Sequence, residues 1–455
     1  MRHFALRKGN YLTLEDSNKE LDRFYIVESG ALVLESREPF VEELEDISEP
    51  FFSFRRQKRE LRRGDFFGLM SPVMGFKRFE SVWAARDSKI LSVSRSALSD
   101  FIKQQKEYAK YILKELFDRL RYYNAYISKK KEDTKGPERV FIIGQYLYGR
   151  NKLPQALYAF ETLCRLFPDS DYAKKGWKYI SRLNQKIVDQ FYLGFQKNEP
   201  EQYTKNGMAF HRYAKDQFIF CEEEMGDELY LIKEGKVAIK KYTPEDDITL
   251  DILGEGEIFG EMAVLGQNKK ADSDNRSNRR SASAVTLEET TLVGISKEKI
   301  DKIFELDQFN IFVDRIMKTL LKRIWHTKLI LMAKSLSDSL DKLSFVLFAE
   351  ISKEYGDRID IIGSKLKEPF EFKFDIDGLL QSADIMKFVP NDMELPEPFS
   401  LNDLMKKFSL RTGYGATLIK NRKIFSFKND RLICNEPETI YKVWKKVYRK
   451  AVLEE

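Results

Sequence analysis

The run FIFCEEEMGDELYLIKEGKV (Phe218–Val237), with FGEMA (Phe259–Ala263) and RSAS (Arg280–Ser283) behind it, decides how this chain is read. Its order is strand, a glycine-aspartate turn at Gly226 and Asp227, strand, a second glycine at Gly235, and strand. Short apolar runs punctuated by glycine turns are the mark of antiparallel β structure. The β-rich segment they belong to begins at Phe210 and ends near Ile295.

Inside that segment, Phe259-Gly260-Glu261-Met262-Ala263 forms a tight turn into a short helix. Glycine there lets bare main-chain N–H groups come close to a small anion. Arg280 can meet two oxygens of a phosphate with charge-assisted bonds, a geometry that a lysine does not match. Glu261 can accept from a sugar hydroxyl, and Ser281 and Ser283 can donate to a phosphate or a base. Arg276 and Arg279 lie close by, so the residues alone leave open which arginine faces the anion.

Taken in order, these stretches resemble the cyclic-nucleotide-binding domain family, the β-roll shared by catabolite-activator-type regulators, kinase regulatory subunits and gated channels. Gly226, Asp227, Tyr230 and Gly235 carry the first part of the likeness. Gly256, Phe259, Gly260, Glu261 and Ala263 resemble the phosphate cassette, and Arg280 to Ser283 its closing arginine motif. The resemblance implies cAMP or cGMP as ligand, Glu261 on the ribose, Arg280 on the phosphate, and the N–H groups near Met262, Ala263 and Ser281 sharing that charge. One departure is the polar excursion Gly266 to Arg279, longer than the family's usual connection, which reads as a solvated insert.

The same order of signals occurs earlier, over residues 4 to 101, which makes the chain an internal repeat. Phe24 to Val27 and Ala31 to Leu34 are strand-like, and Ser29-Gly30 between them is a hairpin signal. The acidic, then basic excursion from Ser36 to Arg62 reads as an inserted loop. Phe67-Gly68-Leu69-Met70 stands at the cassette and Arg78-Phe79-Glu80-Ser81 at the arginine motif, so this copy resembles the family in a degenerate form. Leu69 replaces the ribose carboxylate, and Glu80 brings a negative charge to the place of a phosphate, where two like charges are unfavourable. Arg78 is expected to pair with Glu80.

Between the copies, Tyr108 to Tyr126 has apolar residues at helical spacing, Ser128 to Lys135 is a linker, and residues 138 to 187 are helical. Gly144, Ala156, Phe160 and Pro168 stand at the spacings of one tetratricopeptide unit. A lone unit cannot bury both its faces, so it reads as a spacer packed between domains. After the second copy, Phe309 to Lys334 is a long amphipathic helix and Ser337 to Tyr355 another. They resemble the dimer helix and the first following helix of catabolite-activator-type regulators, which implies a homodimer and makes Thr327 the candidate cap on the base. Further on, Ser400 to Cys434 resembles helix, turn, recognition helix and wing, with Arg411, Lys420, Arg422 and Lys423 as candidate phosphate contacts on DNA.

The fold expected is therefore α+β. It comprises a degenerate roll at 1–127, a tetratricopeptide-like helical spacer at 136–195, a jelly-roll-like cyclic-nucleotide-binding roll with its C-terminal helix at 200–334, and a winged-helix-like α/β tail at 335–455. The length of 455 residues fits several domains of about 150 residues each. The net charge of +6 is mild over that length, so only its concentration in the tail bears on partners. No apolar run reaches the roughly 18 residues that cross a bilayer, and no apolar core follows the N-terminal charges, so a cytoplasmic protein without membrane contact is expected. Three scattered cysteines, Cys164, Cys221 and Cys434, suggest neither a disulfide framework nor a thiolate metal site. The motifs GxxxxGK[ST], HExxH and GxSxG do not occur, so no catalytic residue, metal or cofactor is expected beyond the nucleotide ligand. The function expected is a nucleotide-responsive regulator that binds DNA; the alternative is an adaptor that acts on a partner protein.

Overall fold

The computed structural model describes the chain except for residues 16, 18, 43–50, 76–77, 128–133, 184–201, 204–208, 245–246, 266–277, 301–308, 337–338, 356–367, 373–395, 408–421, 429–430 and 454–455. The contacts divide it into two units, Met1–Tyr126 with Asp307–Glu455, and Ile127–Leu306.

The first unit opens with eight strands: β1 (Arg2–Leu6), β2 (Tyr11–Thr13), β3 (Arg23–Ser29), β4 (Leu32–Glu42), β5 (Phe51–Leu61), β6 (Phe66–Phe67), β7 (Glu80–Ala84) and β8 (Ser88–Ser94). They form two antiparallel sheets, ordered β1-β8-β3-β6 and β2-β7-β4-β5. Burial alternates along β7, so Glu80, Val82 and Ala84 point inward, toward a core that holds Tyr25, Leu32, Leu61 and Phe67. Helices α1 (Met70–Met74), α2 (Arg95–Gln104) and α3 (Lys106–Ile127) complete the roll.

Two expectations are corrected here. Ser29-Gly30 is a corner rather than a hairpin: β3 pairs with β6 and β8, whereas β4 pairs with β5 and β7, so the chain changes sheets at Gly30. A Cβ on Gly30, whose φ is +91°, would lie 2.3 Å from Ser88 Oγ and 2.5 Å from the Asp87 carbonyl, so only glycine turns there. Gly235 makes the matching corner in the second roll, at φ +93°. The described part of the excursion from Ser36 to Arg62 is likewise no loop. It is the long ribbon β4–β5, in register from Leu32 opposite Leu61 to Glu42 opposite Phe51. Its charges sit on an edge strand, where they discourage pairing with other chains, and charge alone did not reveal the strand.

The second unit holds helices α4 (Pro137–Gly149), α5 (Leu153–Leu166) and α6 (Asp171–Ile180), then the second roll. Its strands are β9 (Gln202–Tyr203), β10 (Ala209–Tyr213), β11 (Phe218–Phe220), β12 (Glu228–Glu234), β13 (Val237–Tyr242), β14 (Asp247–Leu253), β15 (Ile258–Phe259), β16 (Ser283–Thr286) and β17 (Thr290–Ser296), with helix α7 (Glu261–Leu265) after β15. The sheet orders β15-β12-β17-β10-β9 and β11-β16-β13-β14 reproduce those of the first roll, with β9 added at one edge. The repeat read in the sequence is thus a repeat of topology.

Proline within the first turn starts α4 and α5, and Ser170 caps α6 by accepting from the Ala173 N–H at 3.0 Å. Gly144 lets α4 lie against Phe160, whose ring would stand 2.5 Å from an added Cβ. The three helices share one apolar core with Phe218, Cys221, Tyr242 and Val285 of the second roll, where Tyr158 stacks on Phe218 at 5.1 Å. The polar side of that joint is a row of glutamates. Glu222 takes both Nε and Nη2 of Arg139 at 3.0 Å and Lys241 at 2.8 Å, and Glu224 accepts from Thr162 at 2.8 Å.

The rest of the first unit is α8 (Phe309–Ser335), α9 (Ser339–Tyr355), α10 (Leu401–Lys407), α11 (Pro437–Leu453), and a small sheet ordered β18-β20-β19 from Phe370–Glu371, Arg431–Cys434 and Phe425–Lys428. The long helix after the second roll is α8, expected to close that roll at 334. It packs instead on the first: Trp325 meets Phe79 with ring centroids 4.5 Å apart, and Asn310 bonds to Ser99 at 2.6 Å. Helical periodicity shows that such a face must be covered and leaves open by what. Trp444 of α11 stacks on Phe348 of α9, and β19 and β20 make a hairpin at the expected wing.

Where α3 and α8 meet the first roll, Glu38 accepts from Arg119 at 2.8 Å, Tyr123 at 2.6 Å and Ser36 at 2.7 Å. Burial pushes its carboxyl up, but Lys328, Arg119 and these bonds outweigh that and hold it at about 2, below the ordinary 4.5. A depressed carboxyl stabilises the fold above its unfolded value and loses that contribution as the pH falls toward 2. The first unit is therefore expected to lose on the order of 3 kcal/mol across that window. Stepwise melts between pH 5 and pH 2 check this, and Glu38→Gln should flatten the acid limb.

Candidate functional site

The turn from β15 into α7 is built around Arg280. Its Nη1 donates to the Gly260 carbonyl at 2.8 Å and its Nη2 to the Glu228 carbonyl at 2.7 Å. The guanidinium lies 4.1 Å from the Phe220 ring centroid and 5.8 Å from that of Tyr230. Arg280 is 4% exposed, and its Nε is buried without a hydrogen-bond partner among the described residues. A buried charged donor left open in this way calls for an acceptor, and an anion supplies one.

Two glycines make the cradle. Gly260 sits at φ +77°, and a Cβ there would stand 2.7 Å from Arg280 Nη1. A Cβ on Gly226 would stand 2.4 Å from the Ala263 methyl and 2.8 Å from Arg280 Cζ. The backbone clamps the arginine from the other side, where Arg280 N–H donates to the Glu224 carbonyl at 2.7 Å and Glu223 N–H to the Arg280 carbonyl at 3.0 Å.

Most residues singled out from the sequence are brought together here, in different roles. Glu261 opens α7 and is 2% exposed; Met262 and Ala263 follow it, both buried. Phe259 is a core side chain, stacked on Tyr230 at 5.4 Å, so only its main chain borders the turn. Ser281 is exposed, its Oγ 4.0 Å from Met262 Sδ. Ser283 is not brought into the site: it is fully buried in β16 and accepts from the Glu222 N–H at 2.9 Å. The inward face of a central strand claims that hydroxyl for the backbone of its neighbour.

Arg279 is turned away, donating to the Glu223 carbonyl at 2.9 Å and lying over Phe167, while Arg276 falls outside the described residues. Thr327, expected to cap the base, is buried in α8 and belongs to the unit of the first roll. Phe220 and the Glu228 carbonyl were missed in the sequence. Their only signal was position, two residues before the glutamate row and two after Gly226.

The first roll carries the same cradle. Gly68 has φ +74°, Arg78 Nη1 donates to its carbonyl at 2.9 Å, and Nη2 reaches the carbonyls of Arg23 at 2.7 Å and of Glu20. The expected pairing of Arg78 with Glu80 is not made. Glu80 Oε1 accepts instead from the Gly68 N–H at 2.7 Å. Beside it lies a cavity of about 460 Å³ lined by Leu69, Phe79, Glu80, Arg119, Trp325 and Lys328, among others.

In the tail, Arg411 and Lys420 lie outside the described residues. Arg422 is exposed and pairs with Glu436 at 3.4 Å, and Lys423 with Asp403 at 3.2 Å. Among the described residues, no group of three or more His, Cys, Asp or Glu could hold a metal ion, and no helix is long and apolar enough to cross a membrane.

A family model described as the cyclic nucleotide-binding domain matches residues 4–105 and 210–307. The Cyclic AMP receptor protein of Thermus thermophilus is 27% identical over 145 residues, 32% of this chain and 62% of that protein. A CRP-like cAMP-activated global transcriptional regulator of Mycobacterium tuberculosis is 28% identical over 89 residues, 19% of this chain and 35% of the regulator. The chain thus spans less than two thirds of the length of either relative. Among solved structures, the half-site-occupied form of the EAL enzyme Bd1971 is 35% identical, covering 26% of this chain and 96% of that one, with a TM-score of 0.20.

Proposed function

We propose, for a chain that carries two cyclic nucleotide-binding domains, that the second is the sensor and takes cAMP or cGMP at Arg280 and Glu261. The observation that carries this is the buried Arg280, held by two carbonyls with its Nε still open, beside the buried carboxylate Glu261, whose place in the first roll is taken by Leu69. The phosphate accepts from that guanidinium and from the main chain of Met262, Ala263 and Ser281, and Glu261 accepts from the ribose. Two relatives are named for cAMP, and both bases remain within the proposal. The chain acts as a regulator, and its tail from 335 onward is a winged-helix-like unit that carries the signal to DNA through Arg422 and Lys423, with Arg411 and Lys420.

A second reading has its own support. The segment that clamps Arg280 includes Glu224, whose side chain is held by Thr162 of the spacer. A shift of the arginine on binding pulls on that joint, so the output can be a protein partner that reads the helices. Only a difference in nucleotide affinity between two arrangements drives either output.

Calorimetric titration with cAMP and with cGMP tests the sensor, and saturable binding of at least one is expected. Heat-silent titrations with both would end the proposal. A mobility-shift screen of genomic fragments at low salt, with and without nucleotide, tests the output. A retarded band that depends on nucleotide is expected; none at any nucleotide concentration leaves the adaptor reading in place.

A further inference from the structure

The two rolls share a glycine-arginine cradle, and Arg78 Nε is buried without a hydrogen-bond partner among the described residues, as Arg280 Nε is. Their rims differ. Leu69 stands where the second roll has Glu261, one residue past the turn glycine, and Glu80 stands where it has Ala282, two residues past the arginine. Both replacements line the cavity of about 460 Å³, whereas Arg78 does not. Phe79, Ile324 and Trp325 continue its apolar wall from Leu69, with Phe79 packed on Trp325 at 4.5 Å.

Two charges on this cavity are unused. Lys328 of α8 lines it at 8% exposure, and its ammonium makes no ion pair or hydrogen bond among the described residues. Burial pulls Lys328 below the ordinary lysine range, while Glu38, Glu15 and Glu80 favour its charged form from beyond contact and Arg119 opposes it. Glu38 is already taken, since it accepts from Arg119, Tyr123 and Ser36. Glu80 is 9% exposed; its Oε1 accepts from the Gly68 N–H at 2.7 Å, and its other oxygen has no partner among the described residues.

A charge taken out of water without a contact partner is costly, so each of these groups offers a place for an opposite charge on a ligand. A simple anion at Lys328 would also sit among three carboxylates, and a simple cation at Glu80 would face Lys328 and Arg119. A molecule that carries both signs meets each group and adds no net charge to the cavity. The volume lies within the range of about 300–1,000 Å³ usual for small-molecule sites. We infer that the first roll and α8 together form a second ligand site, for a small zwitterion with an apolar or aromatic side group, of the free amino acid class. Its carboxylate meets Lys328, its ammonium meets Glu80, and its side group lies against Phe79 and Trp325. The site stands independently of the nucleotide site proposed for the second roll, and all of its residues belong to the first unit. Lys328 and Trp325 come from α8, and Leu69, Phe79 and Glu80 from the roll, so an occupant fastens the helix to the roll.

The test uses the full chain without nucleotide, and phenylalanine, tryptophan and leucine as probes. At a hundred-fold excess over its dissociation constant, at least one of them is expected to raise the first unit's melting midpoint by about 5–10 °C. For phenylalanine, 3-phenylpropanoate is the same skeleton without the ammonium and 2-phenylethylamine the same skeleton without the carboxylate; the matching pair for leucine is 4-methylpentanoate and 3-methylbutylamine. Each single-charge analogue is expected to bind at least about ten-fold more weakly than its parent, as titration calorimetry reads it. No shift with any of the three amino acids, or an analogue that binds as tightly as its parent, overturns the inference.

Two variants place the ligand. Lys328→Met removes the cation at similar length and is expected to weaken amino acid binding about thirty-fold or more. Glu80→Gln keeps an oxygen for the Gly68 amide without the charge, and a loss of about ten-fold to a hundred-fold is expected. They remove opposite charges from opposite sides of the cavity, so either one serves if the other does not fold. A folded variant with wild-type affinity overturns the inference. So does cAMP or cGMP binding that survives in Arg280→Ala and disappears on adding Lys328→Met, because the first roll would then be a nucleotide site.

Discussion

Arg280→Ala is expected to weaken nucleotide binding about thirty-fold to several thousand-fold, the range that follows from removing one partner of a buried, hydrogen-bonded charge pair. The size follows from the geometry. The guanidinium is desolvated over Phe220, fixed by the Gly260 and Glu228 carbonyls, and has its Nε in reserve. A phosphate arriving there finds a donor that is already dehydrated and oriented, so little ordering opposes the bond. Arg280→Lys keeps the charge but cannot serve two carbonyls and an anion together, so most of the loss should persist. Titration calorimetry measures the effect, and a melt of the same variant shows whether the roll is intact. A folded Arg280→Ala chain with wild-type affinity would place the ligand elsewhere.

The largest expected effect on stability is at the joint between the spacer and the second roll. Arg139 and Glu222 are 3% and 6% exposed at the side chain, and two nitrogens of Arg139 share one carboxylate oxygen. Arg139→Ala leaves that carboxylate buried with Lys241 as its remaining cation, so a loss of about 3–5 kcal/mol is expected for this unit. Urea unfolding followed by tryptophan fluorescence reads the loss, with Trp177 inside the unit as reporter. Arg139→Lys should fall between, because an ammonium replaces one of the two bonds at best. A change below about 0.5 kcal/mol, the usual limit for surface substitutions, would mean that the pair is not formed in solution.

Local chemistry made much of the second roll's cradle legible in the sequence. A glycine at positive φ and an arginine with two separate tasks leave marks that survive in one sequence. Gly260 and Arg280 are such marks; Gly30 is another turn glycine, although its corner reads locally as a hairpin. The β-roll of the second copy was legible through the resemblance that its glycine, cassette and arginine motifs carry, whereas strand spacing alone left the pairing open. The buried Cys164, Cys221 and Cys434 are also free thiols in the structure, as their spacing suggested.

Other features depended on partners far away in the chain. Ser283 and Ser281 look alike in the motif, yet one is core and one is surface, since only the first faces the Glu222 amide. Glu80 is two residues from Arg78 and bonds to Gly68, twelve residues away. The apolar stripe of α8 was plain in the sequence, but its cover, the first roll, is more than two hundred residues upstream. By itself the sequence determined where the glycine turns, the arginine cradles and the amphipathic helices lie, because backbone sterics and periodicity act over a few residues. Which surfaces those elements bury against, and which atoms each cradle arginine meets, was decided only in the tertiary structure, because burial and charge pairing depend on distance in space.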